Sequence, residues 1–458
     1  MKIAIAVRAI LVCGFALVLL ANYPGHLSID SVIQMYEGQS GIYSSVGPPL
    51  MSWLLGLLDR LVPGGGLFVI LNAALFFGSL LALTTLRPRA WWLAVPVAIA
   101  FFVLSPLTLI YQAIVWKDVL FANLALAGFV CLAHSARLWP RKTGRLYPLA
   151  GCIFALALAA LTRQNGLICL ILAALAVIAF PLPADPRKTG AFFGLGTLAA
   201  GLILIQLLSA SLSLASGNAG ARGLEFGILI VKRYDIVGAA HFDPKADLSR
   251  IGDSRTQQIV RELASRYYSP ERDDFLGAVP PSLAAWSTAE AIGAQWDETV
   301  RHDTAAYLRH RWAVFDWVMF TPALARCLPI YVGIDGLPGQ LKALHLTAGF
   351  RPRDHALWNY ATPFMRTPVF SHLTYALGAL VVLGPLALRR RQEDFAIGAM
   401  LVSALAFAAS FFFIAIACDY RYLYFLDVAA MAGLFYVALD PPFDEIKRLV
   451  RHRATPLG

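Results

Sequence analysis

Four short polar clusters in an otherwise apolar chain hold the side chains suited to chemistry. The first is residues 23–37, with Asp30, Gln34 and Glu37. On a helix these three fall at i, i+4 and i+7 and share one face. A carboxylate framed by hydrogen-bonding side chains is suited to act as a general base. Asp is also a good helix N-cap, and that reading of Asp30 stands beside the first. The second cluster is Trp116-Lys117-Asp118. A lysine there binds phosphate by charge and charge-assisted hydrogen bonds, or serves with Trp116 as an interfacial anchor. The third, Arg163-Gln164-Asn165-Gly166, interrupts an apolar stretch over 149–181. An arginine against apolar walls is costly unless paired, although its head group can also snorkel toward water. The fourth is Asp419-Tyr420-Arg421-Tyr422-Leu423-Tyr424, with Asp427 one turn further on. An acid inside an apolar span marks a functional site or a structural pair with an arginine at the outer face.

The elements that position these clusters are membrane helices. Of the 458 residues 58% are hydrophobic and 14% charged, against ~25% charged in an average soluble protein. The apolar residues gather in long Leu- and Ala-rich runs without period-2 alternation, so helices of roughly 20 residues fit and a barrel does not. We expect ten spans, at 3–22, 66–86, 90–110, 119–137, 147–162, 166–182, 190–214, 367–388, 394–417 and 422–439. The first apolar stretch is longer than the ~7–15 residues of a signal peptide and has no small-x-small site, so it reads as a retained helix.

The basic residues give the orientation. They cluster as Arg87 and Arg89; Arg137, Arg141, Lys142 and Arg145; Arg187 and Lys188; 389–391; and Lys447, Arg448, Arg451 and Arg453. Short loops rich in Lys and Arg mark the cytoplasmic side, and with these spans every basic cluster falls on that side. All four polar clusters then fall on the other. The domains expected are a transmembrane module over 1–215 with outer loops 23–65, 111–118 and 163–166, an extracytoplasmic segment over 216–365, a second transmembrane module over 366–440 and a basic tail over 441–458. Within loop 23–65, residues 29–37 and 48–62 read as short helices, the second amphipathic and interfacial. Residues 312–330 read as a further interfacial helix, because Arg326 interrupts the run and an extra crossing would place 389–391 outside. Cys13, Cys131, Cys152 and Cys169 lie in apolar runs as packing residues, while Cys327 and Cys418 share the outer side, where a disulfide is open to them.

Several classes are excluded or weakened. The net charge of +10 lies in loops, without the basic-aromatic groove of a nucleic-acid binder. Walker-type loops, Gly-x-Gly-x-x-Gly after a strand and His-Glu-x-x-His are missing, which removes the usual signatures of ATP-driven transport and zinc proteolysis.

The four clusters, in this order, resemble the multi-spanning GT-C glycosyltransferases that use polyprenyl-phosphate sugars, and in particular bacterial dolichyl-phosphate-mannose-transferase-like membrane proteins. The resemblance rests on Pro24-Gly25 with Ser28-Ile29-Asp30-Ser31, Pro48-Pro49-Leu50, Lys117-Asp118, Arg163-Gln164-Asn165-Gly166, Arg421-Tyr422 and the outer stretch Tyr307-Leu308-Arg309-His310-Arg311. It covers 1–182 and 366–440 and little of 216–365. Gly47 stands where many relatives have a His before the double Pro, and Ser31 where many have a second acid. Because hard cations usually take more than one carboxylate, no metal or cofactor is predicted, and a divalent cation is left open.

The resemblance implies an all-α polytopic enzyme of the bacterial inner membrane, with both termini cytoplasmic. Its active site faces the periplasm or exterior. A polyprenyl-phosphate-linked sugar would be the donor and an extracytoplasmic lipid, glycan or protein the acceptor. Asp30 would be the catalytic base, with Asp118 assisting it or orienting Lys117. Lys117, Arg163 and Arg421 would bind the donor phosphate, supported by Gln34, Glu37, Asn165, Tyr422 and Asp427. One base and a cationic clamp suffice for a single inverting displacement. The alternatives are a lipid-linked sugar flippase or secondary transporter, which often shows inverted repeats and midplane sites, and a non-catalytic polysaccharide-assembly protein.

Overall fold

The structure, a computed structural model, describes residues 2–43, 48–87, 90–141, 143–180, 186–216, 219–279, 287–443 and 445. Gly47, Arg89, Lys142 and the tail cations Lys447, Arg448, Arg451 and Arg453 lie outside the described residues, as do the side chains of Arg187 and Lys188. Among the described residues the chain is all-α, with isolated β-bridges only. The helices are α1 (Lys2–Asn22), α2 (Ile29–Ser40), α3 (Pro49–Leu61), α4 (Gly66–Thr85), α5 (Ala94–Ile99), α6 (Pro106–Leu109), α7 (Lys117–Arg137), α8 (Leu146–Thr162), α9 (Leu167–Ile178) and α10 (Pro186–Ser216). They continue with α11 (Ala219–Phe242), α12 (Ser254–Glu262), α13 (Ala289–His302), α14 (Thr304–Phe320), α15 (Pro338–Ala343), α16 (Pro352–Ala361), α17 (His372–Arg389), α18 (Gln392–Ile414) and α19 (Tyr424–Leu439).

Among the described residues seven helices are long and apolar enough to cross a membrane, or eight if the bent pair Ala94–Leu104 and Pro106–Ala113 is one span: α1, α4, α7, the 190–216 part of α10, α17, α18 and Tyr420–Leu439. The chain is therefore a polytopic helical membrane protein. Helix α8 and the stretch Gln164–Ile178 are apolar but shorter. At ~1.5 Å per residue they fall short of the ~30 Å hydrocarbon core, because the polar Arg163 turn separates them. Helices α7 and α19 are buried over most of their length, whereas α1 and α10 are largely exposed along theirs, as lipid-facing helices should be.

The third expected span is not a straight helix over 90–110. Ala94–Leu104 and Pro106–Ala113 meet at a bend of 56°. Pro106 disfavours the helical conformation at the residue before it, and Ser105 is extended, at ψ 129, with its Oγ accepting from Leu107 N–H. The carbonyls freed by the break are satisfied by hydroxyls: Thr108 donates to Phe101 O at 2.7 Å, and Tyr360 donates to Leu104 O. Irregular backbone at membrane depth needs such partners.

The described part of the segment over 216–365 is mostly helical, built from α11 to α16. The interfacial helix expected over 312–330 is displaced: α14 begins at Thr304 and stops at Phe320, where Thr321 turns left-handed at φ 43. The Cys327 and Cys418 sulfurs are joined as a disulfide, with Cα atoms 4.9 Å apart. The bridge ties the stretch after α14 to the turn that carries Arg421.

Two charged clusters sit at opposite ends of α19. After its C-terminus, Asp440 meets Arg87 at 3.4 Å and also pairs with Arg391, while Arg389 holds Asp394 at 2.7 Å and Arg87 holds Glu393 at 3.0 Å. The arginine-rich turns therefore close one end of the bundle, and Arg421 stands at the other.

Helices α2 and α3 are the expected pair in the first loop, and their crossing depends on two glycines. A Cβ on Gly38 would lie 1.8 Å from Ser52 O and one on Gly56 2.2 Å from Gly38 O. Glu37 accepts a hydrogen bond from Ser52 Oγ at 2.9 Å across the same contact. Overpacking usually costs about 1–3 kcal/mol, and here the obstacle is backbone. Gly38→Val should lower the unfolding temperature in detergent and loosen protease protection of 29–61. Gly78→Val, where an added Cβ meets nothing within 4 Å, should leave both unchanged. Equal behaviour of the two variants would contradict this packing.

Candidate functional site

Strand-like contacts fix the start of α2. His26 N–H donates to Ala113 O and Val115 N–H to His26 O, both at 3.0 Å, while Leu27 N–H donates to Gly333 O at 3.0 Å and Asp335 N–H to Leu27 O at 2.9 Å. Side chains reinforce them: Ser31 Oγ donates to Val115 O at 2.6 Å and Trp116 Nε1 to Ser28 Oγ at 2.9 Å. The first loop is thereby bonded both to the turn before Lys117 and to residues 333–335. Ser28 takes the N-cap position, its N–H donating to Ser31 Oγ at 3.2 Å. Asp30 is not the cap; it lies in the first turn, where the helix dipole favours an anion.

With these anchors set, three acids and two arginines from four separate stretches meet. Arg421 Nη2 binds Asp30 Oδ2 at 2.6 Å and Asp419 Oδ2 at 2.8 Å, and its Nε lies 3.7 Å from Asp118 Oδ2. Asp118 Oδ1 accepts from Arg163 Nη2. The chain of contact is Asp30–Arg421–Asp118–Arg163. Aromatic faces hold the arginines: Arg421 lies 4.8 Å from the centre of the Trp116 ring, and Arg163 4.9 Å from that of Tyr422. Tyr422 itself stacks on Phe411 at 5.5 Å. Guanidinium stacking of this kind keeps the donor fork oriented.

Asp118 is buried while Asp30 is about half exposed. Burial raises the Asp30 pKa, but the Arg421 charge and hydrogen bond, together with Lys117 and Arg163, outweigh it and hold the carboxyl below the ordinary Asp range. Asp30 is thus ionised at neutral pH. Two buried atoms beside it have no hydrogen-bond partner among the described residues, Arg163 Nε and Asp118 Oδ2.

A cavity of about 370 Å³ opens against this network. Lys117, Arg163, Gln164 and Asn165 form its polar wall, and α11 and the end of α18 supply apolar wall through residues such as Ile228 and Ile414. Tyr422 and Phe411 close one side. Asp30 does not line the cavity and reaches it only through Arg421 and Asp118. The arrangement suits an anion with an apolar tail: cations at one end, aliphatic surface beside them, and a carboxylate just beyond.

The structure brings together Asp30, Asp118, Arg163 and Arg421 by direct contact, and Lys117, Asn165 and Tyr422 by shared lining or stacking. Asn165 also donates to Ser410 Oγ at 2.9 Å, tying the Arg163 turn to α18. Other expectations need correction. Gln34 and Glu37 do not share Asp30's exposure; both are buried, and Glu37 serves the α2–α3 crossing. Asp118 faces the two arginines, not Lys117, since successive helical side chains point ~100° apart. Asp427 pairs with His372 Nδ1 at 2.9 Å between α19 and α17, not with an outer-face arginine, and stands apart from the network. Sequence reasoning placed Asp419 in the fourth cluster without giving it a role, and missed Lys232 and Trp296, both cavity-lining. It also missed His26, a lone buried histidine beside Pro24-Gly25.

Gly333 N–H donates to His26 Nδ1 at 3.1 Å, so Nε2 carries the proton and donates to Asn22 Oδ1 at 3.0 Å. Burial pushes the His26 pKa from 6.5 down to about 4; Asp354 opposes this, and Arg351 and Arg353 add to it. Between pH 6.5 and 4 the unfolded chain therefore binds the extra proton more readily, and stability falls as pH falls through that window. Hydrogen-exchange protection factors at 26–36, corrected for the intrinsic pH dependence of amide exchange, should fall on acidification from pH 7 to 4.5, and His26→Gln should flatten the dependence; an unchanged slope would contradict the assignment. Removing one member of a buried pair typically costs about 3–5 kcal/mol. Asp118→Ala should be destabilised on that scale, and the double variant with Arg163→Met should recover much of the loss in thermal unfolding.

No protein-family model matches the chain, and no curated protein does. Two solved structures are similar to it. The Archaeoglobus fulgidus oligosaccharyltransferase AglB, in complex with an inhibitory peptide and a dolichol-phosphate, is 14% identical, with a TM-score of 0.43 over 98% of this chain and 52% of that one. The apo form of the oligosaccharyltransferase from the same organism is 13% identical, with a TM-score of 0.41 over the same shares. The chain spans about half the length of these solved chains.

Proposed function

We propose that this chain is a membrane glycosyltransferase of the GT-C type that moves a sugar from a polyprenyl-phosphate donor to an extracytoplasmic acceptor. The observation that carries this reading is the Asp30–Arg421–Asp118–Arg163 chain lying against a cavity whose polar wall holds Lys117 and Arg163. Polar groups at helix ends, opposite the arginine-rich turns, fit work at the outer membrane boundary. The Cys327–Cys418 bridge fits an oxidising compartment on that side.

In this reading the donor phosphate sits on Lys117 and Arg163, with its isoprenyl chain along the aliphatic wall and its sugar directed toward Asp30. An acceptor hydroxyl gives its proton to an Asp30 oxygen. The acceptor oxygen bonds to the anomeric carbon, the bond from that carbon to the phosphate oxygen breaks, and the electron pair stays on the phosphate. Cations already oriented around that oxygen stabilise the developing charge without reorganisation. The single displacement inverts the anomeric centre. Arg421 couples the two halves. It holds Asp30 as a weak base, and a phosphate that draws its guanidinium away returns basicity to the carboxylate. Asp118, fixed between Arg163 and Arg421, acts as a positioning residue.

Vesicles containing the protein and a panel of radiolabelled polyprenyl-phosphate sugars test this reading, with an envelope fraction as acceptor. Asp30→Asn should reduce transfer by roughly 10²–10⁴-fold, the usual worth of a general base, with donor affinity within about twofold of wild type. Near wild-type transfer by that variant would remove Asp30 as the base. Uptake of the labelled lipid to the opposite leaflet without transfer would point to a flippase instead.

A further inference from the structure

Helix α14 is built the wrong way round for an element standing in water. His310 and Arg311 are fully buried, while Leu308 and Trp312 are 44% and 58% exposed. Leu308, Trp312, Phe315 and Met319 fall at i, i+4, i+7 and i+11, so they form one stripe. Phe315 and Met319 are partly buried, and Arg309 and Asp316 border the stripe along one edge. A helix facing water turns its charges out and its apolar residues in. Exposed apolar residues gathered on one face mark a surface that something covers.

The neighbours of the stripe identify the cover. Phe315 meets Phe412 of α18 with ring centres 5.9 Å apart, and the adjacent Phe413 is 58% exposed. Helix α14 packs on both α18 and α17, and Leu373 and Leu377 near the start of α17 are exposed. Both of these helices are membrane spans. Helix α18 has 23 residues, about 34 Å at ~1.5 Å per residue, close to the ~30 Å of hydrocarbon. Its start, with Glu393 and Asp394, lies among the arginine-rich turns, so Phe412 comes at the opposite boundary. The stripe is thus continuous with the lipid-facing surface of two spans, at the depth where Trp side chains collect. Arg309 has the length to reach head groups from there.

The buried face of α14 reaches the cavity. Arg311 Nη1 donates to Ala415 O at 2.8 Å, and its Nη2 lies 2.5 Å from Asp235 Oδ1. Asp235 Oδ2 accepts from Trp296 Nε1 at 2.7 Å. Ala415 and Trp296 both line the cavity. Rolling α14 to bring Trp312 into water would carry Arg311 away from both of its partners. We propose that α14 is a bilayer-seated helix: its Leu308–Trp312–Phe315–Met319 stripe lies in lipid on the Arg421 side, and this seat holds the cavity wall at Ala415 and Trp296 in place. The proposal rests on the spanning helices and not on the lipid-donor reading above.

The test uses the full chain in nanodiscs of phosphatidylcholine and phosphatidylglycerol. A Cys13→Ala, Cys131→Ala background leaves Cys152 and Cys169 buried and the disulfide intact. Nitroxide labels go on at Leu308→Cys or Trp312→Cys, with the exposed positions Leu377→Cys in α17 and Arg255→Cys in α12 as lipid and water references. Labels at 308 and 312 should collide mainly with oxygen, as at 377, and little with an aqueous nickel chelate. Nickel-dominated collision, as at 255, would overturn the proposal. Shielding from both reagents would overturn it too, since a second copy or another protein would then cover the stripe. In a second measurement Trp312→Glu should quicken hydrogen exchange several-fold at 235–238 and 413–416, with α4 unchanged, and Trp312→Leu should leave all three as in wild type. Unchanged exchange in Trp312→Glu, or equal quickening in Trp312→Leu, would overturn the link from seat to cavity. Neither measurement reads sugar transfer, so failure of Asp30 as a base would leave both results in place.

Discussion

Arg421 is the constraint on which the site depends. It touches three acids from three stretches, Asp30, Asp118 and Asp419. A guanidinium can do this because its planar fork offers several donors in different directions while one face stacks on Trp116. A lysine would supply a point charge without that geometry. The Cys327–Cys418 disulfide, whose second cysteine lies three residues before Arg421, and the buried start of α19 after it hold the turn in place. Much of the surrounding architecture presents partners to this side chain: α7 offers Asp118, the bonded first loop offers Asp30, and the turn between α8 and α9 offers Arg163 to the other oxygen of Asp118.

The network also explains why irregular backbone collects at this end of the bundle. The break at Ser105-Pro106, the extended Arg163 and the turn at 420–423 all interrupt helices that would otherwise run on. Each exposes backbone groups that must find partners in a bilayer. Hydroxyls of Thr108 and Tyr360 fill that need at the first break, and the bonds from 26–27 to 113–115 and 333–335 fill it beside Asp30. The opposite end, with Arg87, Arg389 and Arg391 paired to Glu393, Asp394 and Asp440, ties helix ends together and contributes nothing to the cavity.

The apolar runs made a polytopic helical membrane protein readable, because bilayer thickness acts on composition alone, but of the ten expected spans seven, or eight with the bent pair, are long and apolar enough among the described residues. The Ser105-Pro106 break was written in the chain but hidden inside an apolar stretch, where length spoke louder than proline. Asp30, Lys117, Asp118, Arg163 and Arg421 stood out as polar residues among apolar ones, a local signal. Their mutual contacts did not, since Asp30 and Arg421 are separated by nearly the whole sequence and only packing joins them. Lys232 and Trp296 gave no local signal either: both lie in a polar segment where such residues are ordinary, and only packing sets the Lys232 ammonium over the Trp296 ring. Glu37 was misread because helical periodicity places it beside Asp30, whereas Gly38 and Ser52 turn that end of α2 against α3.

The most direct measurement is a structure of the protein in nanodiscs with a polyprenyl phosphate bound. The account predicts phosphate oxygens within hydrogen-bond reach of Lys117 and Arg163, the isoprenyl chain against Ile228 and Ile414, and Arg421 moved off Asp30. Phosphate density at another place, with the Asp30–Arg421–Asp118–Arg163 chain undisturbed, would contradict it.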